Sequence, residues 1–285
     1  MQTVKLNNGI DMPIIGYGVF QVTPEECERC VLDAISVGYR LIDTAQAYFN
    51  EEAVGRAIVK SGVKREEIFL TTKVWIYKNE EDAARSIDES LRKLQTDYID
   101  LLLIHQPLGD YHGSWRAMEK ALKAGKVRAI GLSNFTADRF VDMVEFASIA
   151  PAVNQLKTNV FSQQTVAESE LNRLGTRIMA SGPLTQNDPD LLTNPVLKAL
   201  SEKYHKTPHQ IALRYLVERG IIAIPKTTNI ERMKQNLDVF DFSITSEEMK
   251  EIGKIDKGQN FRSEEKSLEH VRFLLNYVKN FAPTK

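Results

Sequence analysis

Ile68-Phe69-Leu70-Thr71-Thr72-Lys73-Val74, a polar-apolar stretch from Asp82 to Leu94, and Ile99-Asp100-Leu101-Leu102-Leu103-Ile104-His105 decide the fold class. Two short apolar runs flank a segment with apolar or small residues at 83, 87, 91 and 94, which is one stripe of a helix. Strand, helix and strand in so short a span make a βα unit of a parallel sheet.

The same alternation runs outward in both directions. Strands are predicted at Ile14 to Gly18, Arg40 to Asp43, Ile68 to Val74, Ile99 to His105, Val127 to Ser133, Ala152 to Gln155, Arg177 to Ser181 and Ile221 to Pro225. Helix signals fall between them. Thr23-Pro24-Glu25-Glu26 supplies a cap, a proline at the first helical position and an acidic first turn, and that helix should stop near Gly38. Thr207-Pro208 opens another, ending at Gly220. Eight strands, each followed by a helix, predict an α/β protein with a (β/α)8 TIM barrel, one domain over residues 1–285. An open doubly wound sheet is the alternative. Val4 and Leu6, Asn8-Gly9, then Ile10 and Met12 read as an N-terminal hairpin that plugs one end. A C-terminal tail runs from Gly258 to Lys285, and its helical segment Glu264 to Val278 is placed to cover a barrel mouth.

Composition excludes several classes. Hydrophobic residues make 42 % and charged residues 26 %, which is globular rather than disordered, collagenous or coiled-coil. Lys plus Arg number 37 against 38 Asp plus Glu, so no bulk electrostatic attraction to nucleic acid or an anionic membrane is expected. A local anion site remains open. No basic-then-apolar leader begins the sequence, and no run approaches the ~18 apolar residues of a spanning helix. Two cysteines fit a reducing compartment, so a cytoplasmic protein is expected. No exposed apolar stripe stands out, which makes a monomer the expectation.

Several motifs are absent or weak. There is no Walker sequence and no H-E-x-x-H, and Gly16-Tyr17-Gly18 lacks the third glycine of the dinucleotide fingerprint. Cys27 and Cys30 have redox or zinc spacing, but they share a predicted helical face with Val31, Ala34 and Ile35. His205 and His209 are separated by the helix start at Thr207-Pro208 and do not share a face. No metal site is expected.

Chemistry concentrates at the C-terminal ends of the strands, where barrels place it. Asp43 ends the second strand, Tyr48 lies in the loop beyond it, Lys73 is near the end of the third, and His105 ends the fourth. A phenol with an ordinary pKa near ~10 is a poor acid at neutral pH. An adjacent ammonium lowers it, so Lys73, held by Asp43, is expected to make Tyr48 a general acid. His105 would orient a carbonyl oxygen. Plainer readings stay open: a structural Asp43–Lys73 ion pair, a core histidine, a loop tyrosine. After the eighth strand, Lys226-Thr227-Thr228-Asn229 leads into a helix from Ile230 to Leu237, with Arg232 in its first turn. Cations and hydroxyls at a helix N-terminus suit a phosphomonoester; a capped helix with solvated cations is the bland alternative.

These stretches resemble the aldo-keto reductase family over nearly the whole chain. The resemblance is carried by Gly38-Tyr39-Arg40-Leu41-Ile42-Asp43-Thr44-Ala45, Thr72-Lys73-Val74-Trp75 and Asp97-Tyr98-Ile99-Asp100-Leu101-Leu102-Leu103-Ile104-His105. It continues in Gly125-Lys126-Val127-Arg128-Ala129-Ile130-Gly131-Leu132-Ser133-Asn134-Phe135 and Ile224-Pro225-Lys226-Thr227. It implies NADPH-dependent reduction of an aldehyde or ketone, with catalytic Asp43, Tyr48, Lys73 and His105. It implies that Ser133, Asn134 and Gln155 bind the nicotinamide carboxamide. Lys226, Thr227 and Arg232 would hold the 2′-phosphate, and Gln235 and Asn236 the adenine, with Thr228 also among the cofactor-binding residues. Gly18 and Val19 would line the groove, with Ser181, Gly182, Pro183 and Leu184 after the seventh strand. Phe20, Phe49, Trp75 and Gln106 are candidate walls of the substrate pocket, and the short loops predict an open one.

The sequence departs from the family pattern at two places. Ser181 stands where a nicotinamide-stacking aromatic is usual, and Lys157-Thr158-Asn159-Val160 replaces a Glu-x-His-Pro type segment. Two alternatives follow: a binding module that holds NADPH with impaired turnover, or an aldolase forming a Schiff base on Lys73.

Overall fold

The computed structural model of the protein describes residues 2–258 and 267–279. Strands β1 (Thr3–Lys5) and β2 (Asp11–Pro13) pair antiparallel, with Gly9 at φ +87° in the connecting turn. The parallel strands β3 (Tyr17–Gly18), β4 (Leu41–Asp43), β5 (Phe69–Val74), β6 (Ile99–Ile104), β7 (Val127–Ser133), β8 (Val153–Lys157), β9 (Arg177–Ser181) and β10 (Ile222–Ala223) follow in chain order around the sheet.

The sheet closes on itself. The Gly16 N–H donates to the Ala223 carbonyl at 2.9 Å, the Ala223 N–H to Ile14 at 2.9 Å, and the Gly18 N–H to Pro225 at 3.2 Å. Those bonds exclude the open sheet. They also explain why the regular ladder of β3 is shorter than the predicted strand. A Cβ at Gly16 would lie 2.4 Å from Leu41 Cγ, so the chain runs there at a separation only glycine allows. β8 runs two residues beyond the prediction and carries Lys157 to the rim.

Packing has two layers. Inside the barrel, Leu41, Phe69, Leu101, Leu103, Met179 and Ile222 meet Leu6 and Met12. The hairpin therefore plugs the N-terminal end, as the alternation of its apolar residues predicts. Outside, the opposite strand faces pack on helices α1 (Pro24–Ser36), α2 (Glu51–Lys60), α3 (Glu80–Leu94), α4 (Tyr111–Lys123), α5 (Ala137–Phe146) and α6 (Thr165–Asn172). The ring continues through α7 (Asp190–Thr193), α8 (Pro195–Tyr204), α9 (Pro208–Glu218), α10 (Ile230–Leu237) and α11 (Ser246–Gly253).

Local signals set the helix ends. Thr23 caps α1 through its side chain, and Thr207 with Gln210 forms a capping box on α9. Cys27 and Cys30 are free thiols buried on α1, and burial pushes Cys27 up to about 12, away from thiolate chemistry at neutral pH. His205 caps the end of α8 while His209 lies in α9.

Helix α12 (Leu268–Lys279) covers most of the predicted tail helix; Glu264, Glu265 and Lys266 lie outside the described residues. Leu274 is buried with Ala47, Trp75 and Ile76, and the Tyr277 hydroxyl donates to the Ala47 carbonyl at 3.2 Å. The tail thus packs on the C-terminal rim. Among the described residues no helix is long and apolar enough to cross a membrane.

Candidate active site

Three consecutive strands deliver the four predicted groups to one rim. β4 ends on Asp43, and a single helical turn, Gln46–Tyr48, follows it and is closed by Phe49 at φ +57°. Lys73 lies one residue before the end of β5, and His105 follows β6 directly. Lys73 is wholly buried. Its Nζ donates to Asp43 Oδ1 and Oδ2 at 2.9 and 2.8 Å, to the Thr44 carbonyl at 2.8 Å, and to the Tyr48 hydroxyl at 3.4 Å.

The electrostatics follow from that geometry. Burial pulls the Lys73 pKa down, but Asp43 and Tyr48 together outweigh it and the net shift is upward, so the ammonium stays charged. This speaks against the Schiff-base alternative, which needs a neutral, accessible amine. Tyr48 corrects the sequence expectation. Burial pushes its phenol above the ordinary range, and the downward pull of Lys73 does not overcome that. Tyr48 is therefore a neutral O–H donor with a cation waiting beside it. Burial, and then the charge of Lys73, hold His105 well below its ordinary pKa, so its imidazole is neutral. Its ring stands edge-on to Tyr48 and Trp75, with centroids 5.5 and 4.9 Å away, and its Nδ1 is buried with no partner among the described residues.

The predicted nicotinamide residues join the same network. Gln155 Nε2 donates to Asp43 Oδ1 at 3.1 Å and approaches Met179 Sδ at 3.3 Å. Asn134, at φ +65°, donates from Nδ2 to the His105 carbonyl at 2.9 Å and to Ser133 Oγ at 3.2 Å. Gly18 and Val19 line the rim between β10 and β4, but their backbone N–H groups are spent on Pro225 and Asp43. They offer contact surface rather than donors. Ser181 ends β9 opposite Lys157, and Gly182 turns at φ +61° into Pro183 and Leu184.

The second cluster surrounds the start of α10. Asn229 caps the helix, accepting from the Glu231 and Arg232 amides at 2.9 and 3.1 Å. The Thr227 carbonyl accepts from Tyr17 at 2.8 Å, which ties the loop to β3. Lys226, Thr228, Arg232 and Gln235 are exposed, whereas Asn236 is buried. Neither Lys226 nor Arg232 forms a salt bridge among the described residues. Two uncommitted cations at a helix N-terminus, beside threonine hydroxyls, fit a phosphomonoester such as the one that distinguishes NADPH from NADH.

Around the mouth, Phe20 is exposed and lies 5.0 Å from the Tyr48 ring, while Phe49 is exposed against Tyr277 at 5.8 Å. Trp75 is buried, 5.7 Å from Tyr277, and Gln106 is half-buried beside His105. Tyr277 of the tail helix thus stands beside both Phe49 and Trp75 at the rim. Sequence reasoning also missed Asn50. Its Oδ1 accepts from Thr44 Oγ1 at 2.7 Å, and its Nδ2 donates to the Val19 and Val22 carbonyls at 3.0 and 3.2 Å. In sequence Asn50 signals only a helix start; its bonds across the rim come from folding.

A closed βα barrel with a phenol, a buried ammonium–carboxylate pair and a neutral imidazole on one rim defines a carbonyl-reducing oxidoreductase. Residues 14–257 match the model of the aldo/keto reductase family, and the chain belongs to that family. The family uses NADP(H) to reduce aldehydes and ketones. The chain is 42 % identical over 263 residues to a glyoxal reductase of Bacillus subtilis, covering 90 % of this chain and 94 % of that one. It is 36 % identical over 259 residues to a methylglyoxal reductase of Escherichia coli, at 90 % and 94 % coverage. Among solved structures, an aldo-keto reductase from a deep-sea metagenome library superposes with a TM-score of 0.89 at 41 % identity, covering 93 % and 99 % of the two chains. The Bombyx mori aldo-keto reductase in complex with NADP gives 0.85 at 36 %, covering 93 % and 97 %.

Proposed function

We propose that this chain reduces small carbonyl compounds, α-oxoaldehydes or keto sugars among them, with Tyr48 as the proton donor. The contact of Lys73 with both Asp43 and Tyr48 carries the reading. Bound NADPH supplies the hydride to the carbonyl carbon. As the carbonyl oxygen gains negative charge, the Tyr48 hydroxyl gives it a proton, and the phenolate left behind is stabilised by the ammonium 3.4 Å away. The burial that keeps Tyr48 protonated before reaction strengthens that interaction during it. His105, being neutral, hydrogen-bonds the same oxygen without adding a charge and so orients the carbonyl.

Ser133, Asn134 and Gln155 are assigned to the carboxamide, and Lys226, Thr227, Thr228 and Arg232 to the 2′-phosphate. Gln235 is assigned to the adenine; Asn236 supports the same helix from its inner face. Phe20, Phe49, Trp75 and Gln106 wall the substrate side. Free, buried thiols favour a cytoplasmic setting. A monomer is part of the same reading, because the site draws all of its groups from one chain.

The test is loss of NADPH absorbance with methylglyoxal, an aromatic aldehyde and a keto sugar. The proposal expects steady consumption that depends on the carbonyl and is lost in Tyr48→Phe. Cofactor binding without consumption would establish the binding-module alternative instead.

A further inference from the structure

The acid of the proposed reaction is carried on a single turn. Gln46–Tyr48 is closed by the Tyr48 N–H donating to the Ala45 carbonyl at 3.0 Å and the Phe49 N–H to the Gln46 carbonyl at 3.3 Å. No side chain caps its start. A turn this short has little stability of its own. Its place is set by contacts with other elements.

Gln46, the first residue of the turn, makes such contacts with a buried side chain. Its Oε1 accepts from the Trp75 N–H at 2.9 Å and from the Tyr77 hydroxyl at 3.2 Å. Its Nε2 donates to the Ser86 carbonyl at 3.1 Å and to Ser90 Oγ at 3.0 Å, both on α3. An amide offers two donor hydrogens and two acceptor lone pairs, and all of them are engaged here. The group has nothing left for a ligand.

Trp75 is the partner that reaches the chemistry. It follows β5 directly, two residues beyond Lys73, and its ring stands edge-on to His105 at 4.9 Å. The turn that carries the phenol is thus pinned to the strand that carries the ammonium. Tyr77 extends the tie, because its carbonyl accepts from the Asp110 N–H at 3.0 Å in the loop beyond β6. The contact set by these bonds, Lys73 Nζ to the Tyr48 hydroxyl, is 3.4 Å, at the long end of hydrogen-bond range. At that length a small slip of the turn breaks it.

This inference rests on the proposed function, in which Tyr48 gives its proton to the carbonyl oxygen. We infer that Gln46 is a positioning residue for that step. Its amide holds the Tyr48 hydroxyl within reach of Lys73, where the phenolate left by proton transfer is stabilised. It acts through Tyr48 and Trp75 rather than on substrate or cofactor.

The experiment compares the wild type, Gln46→Met and Tyr77→Phe. It measures single-turnover oxidation of bound NADPH by methylglyoxal, the KM for methylglyoxal, the NADPH dissociation constant and the urea midpoint. Methionine keeps the length of the side chain and removes the amide; phenylalanine removes one of its partners. Misplacing a reacting group by about 1 Å costs about a hundredfold, so Gln46→Met should slow the single turnover by about ten- to a hundredfold. Tyr77→Phe should slow it by about two- to fivefold, as one neutral hydrogen bond is lost. In both variants KM and the NADPH dissociation constant should stay within about twofold of the wild type. A residue that only supports the fold would lower the urea midpoint and leave the single-turnover rate of the folded protein unchanged; that result overturns the inference and leaves the reductase reading intact. A loss of rate matched by an equal loss of NADPH affinity assigns Gln46 to cofactor binding and overturns it as well. If Gln46→Met does not fold, Tyr77→Phe carries the test: a slower turnover at unchanged NADPH affinity supports the inference, and a wild-type rate overturns it. If the wild type itself consumes no NADPH, the reductase reading falls and this inference with it.

Discussion

The ammonium of Lys73 lies 2.8 Å from the carboxylate of Asp43, and the two side chains are 0 % and 6 % exposed. A pair this buried is as much a structural commitment as a catalytic one. Lys73→Met leaves Asp43 desolvated without its cation. The expected loss of stability is about 3–5 kcal/mol. Urea unfolding followed by circular dichroism measures it, and a midpoint equal to the wild type would show that water or a rearranged partner rescues the carboxylate.

The raised pKa of Tyr48 fixes the direction of the alkaline limb. A proton donor must carry its proton, so kcat/KM should stay level through neutral pH and fall only above the ordinary phenol value of about 10. A limb centred at neutral pH would assign the acid to another group. In Tyr48→Phe the limb should vanish together with a loss of roughly 10²–10⁴-fold in turnover.

His105 makes acid stability depend on pH. Above the unfolded pKa of ~6.5 the ring is neutral in both states, and its contribution is fully present. As pH falls below that value the unfolded chain takes up a proton that the folded chain refuses, so stability declines by up to about 1.4 kcal/mol per pH unit. His105→Gln should flatten the decline between about pH 6.5 and 5. Parallel stability curves for the two proteins would mean that His105 is protonated in the folded state.

Arg232 is exposed and forms no salt bridge among the described residues. Hydrogen bonds to a charged group are worth about 1.5–3 kcal/mol. Arg232→Ala should therefore weaken NADPH roughly 10- to 150-fold and change NADH little. The contrast between the two cofactors is the measurement; equal losses would place the 2′-phosphate elsewhere.

β9 ends on Ser181 and carries no aromatic side chain to stack on the nicotinamide of the proposed cofactor site. Ser181→Trp should tighten NADPH, because base–aromatic stacking contributes about 1–3 kcal/mol in other systems. Fluorescence titration reads the change directly. An unaltered dissociation constant would mean that the ring does not lie over this strand.

The order of strands, their near boundaries, the plugging hairpin and the four rim residues were all legible in sequence. Each rests on a local signal: period-two and period-3.6 alternation, a cap such as Thr23 or Thr207, or a polar residue closing an apolar strand. Strand ends stagger polar groups onto one rim once the barrel is granted, so Asp43, Lys73 and His105 could be placed together before any coordinates.

Other properties depended on contacts between distant segments. Barrel closure came from hydrogen bonds between Gly16 and Ala223, more than two hundred residues apart. The role of Asn50 in tying the Val19–Val22 loop to Thr44, and the packing of Tyr277 against Trp75, have no local signature. Neither does the direction of the Tyr48 shift. A neighbouring cation can be read from a motif, but the water removed around a phenol is a property of everything packed against it, and here that burial outweighs the charge. The amino-acid sequence by itself determined which chemical groups reach the rim; only the tertiary structure decided how dry and how closely paired they are, and those two together set their protonation.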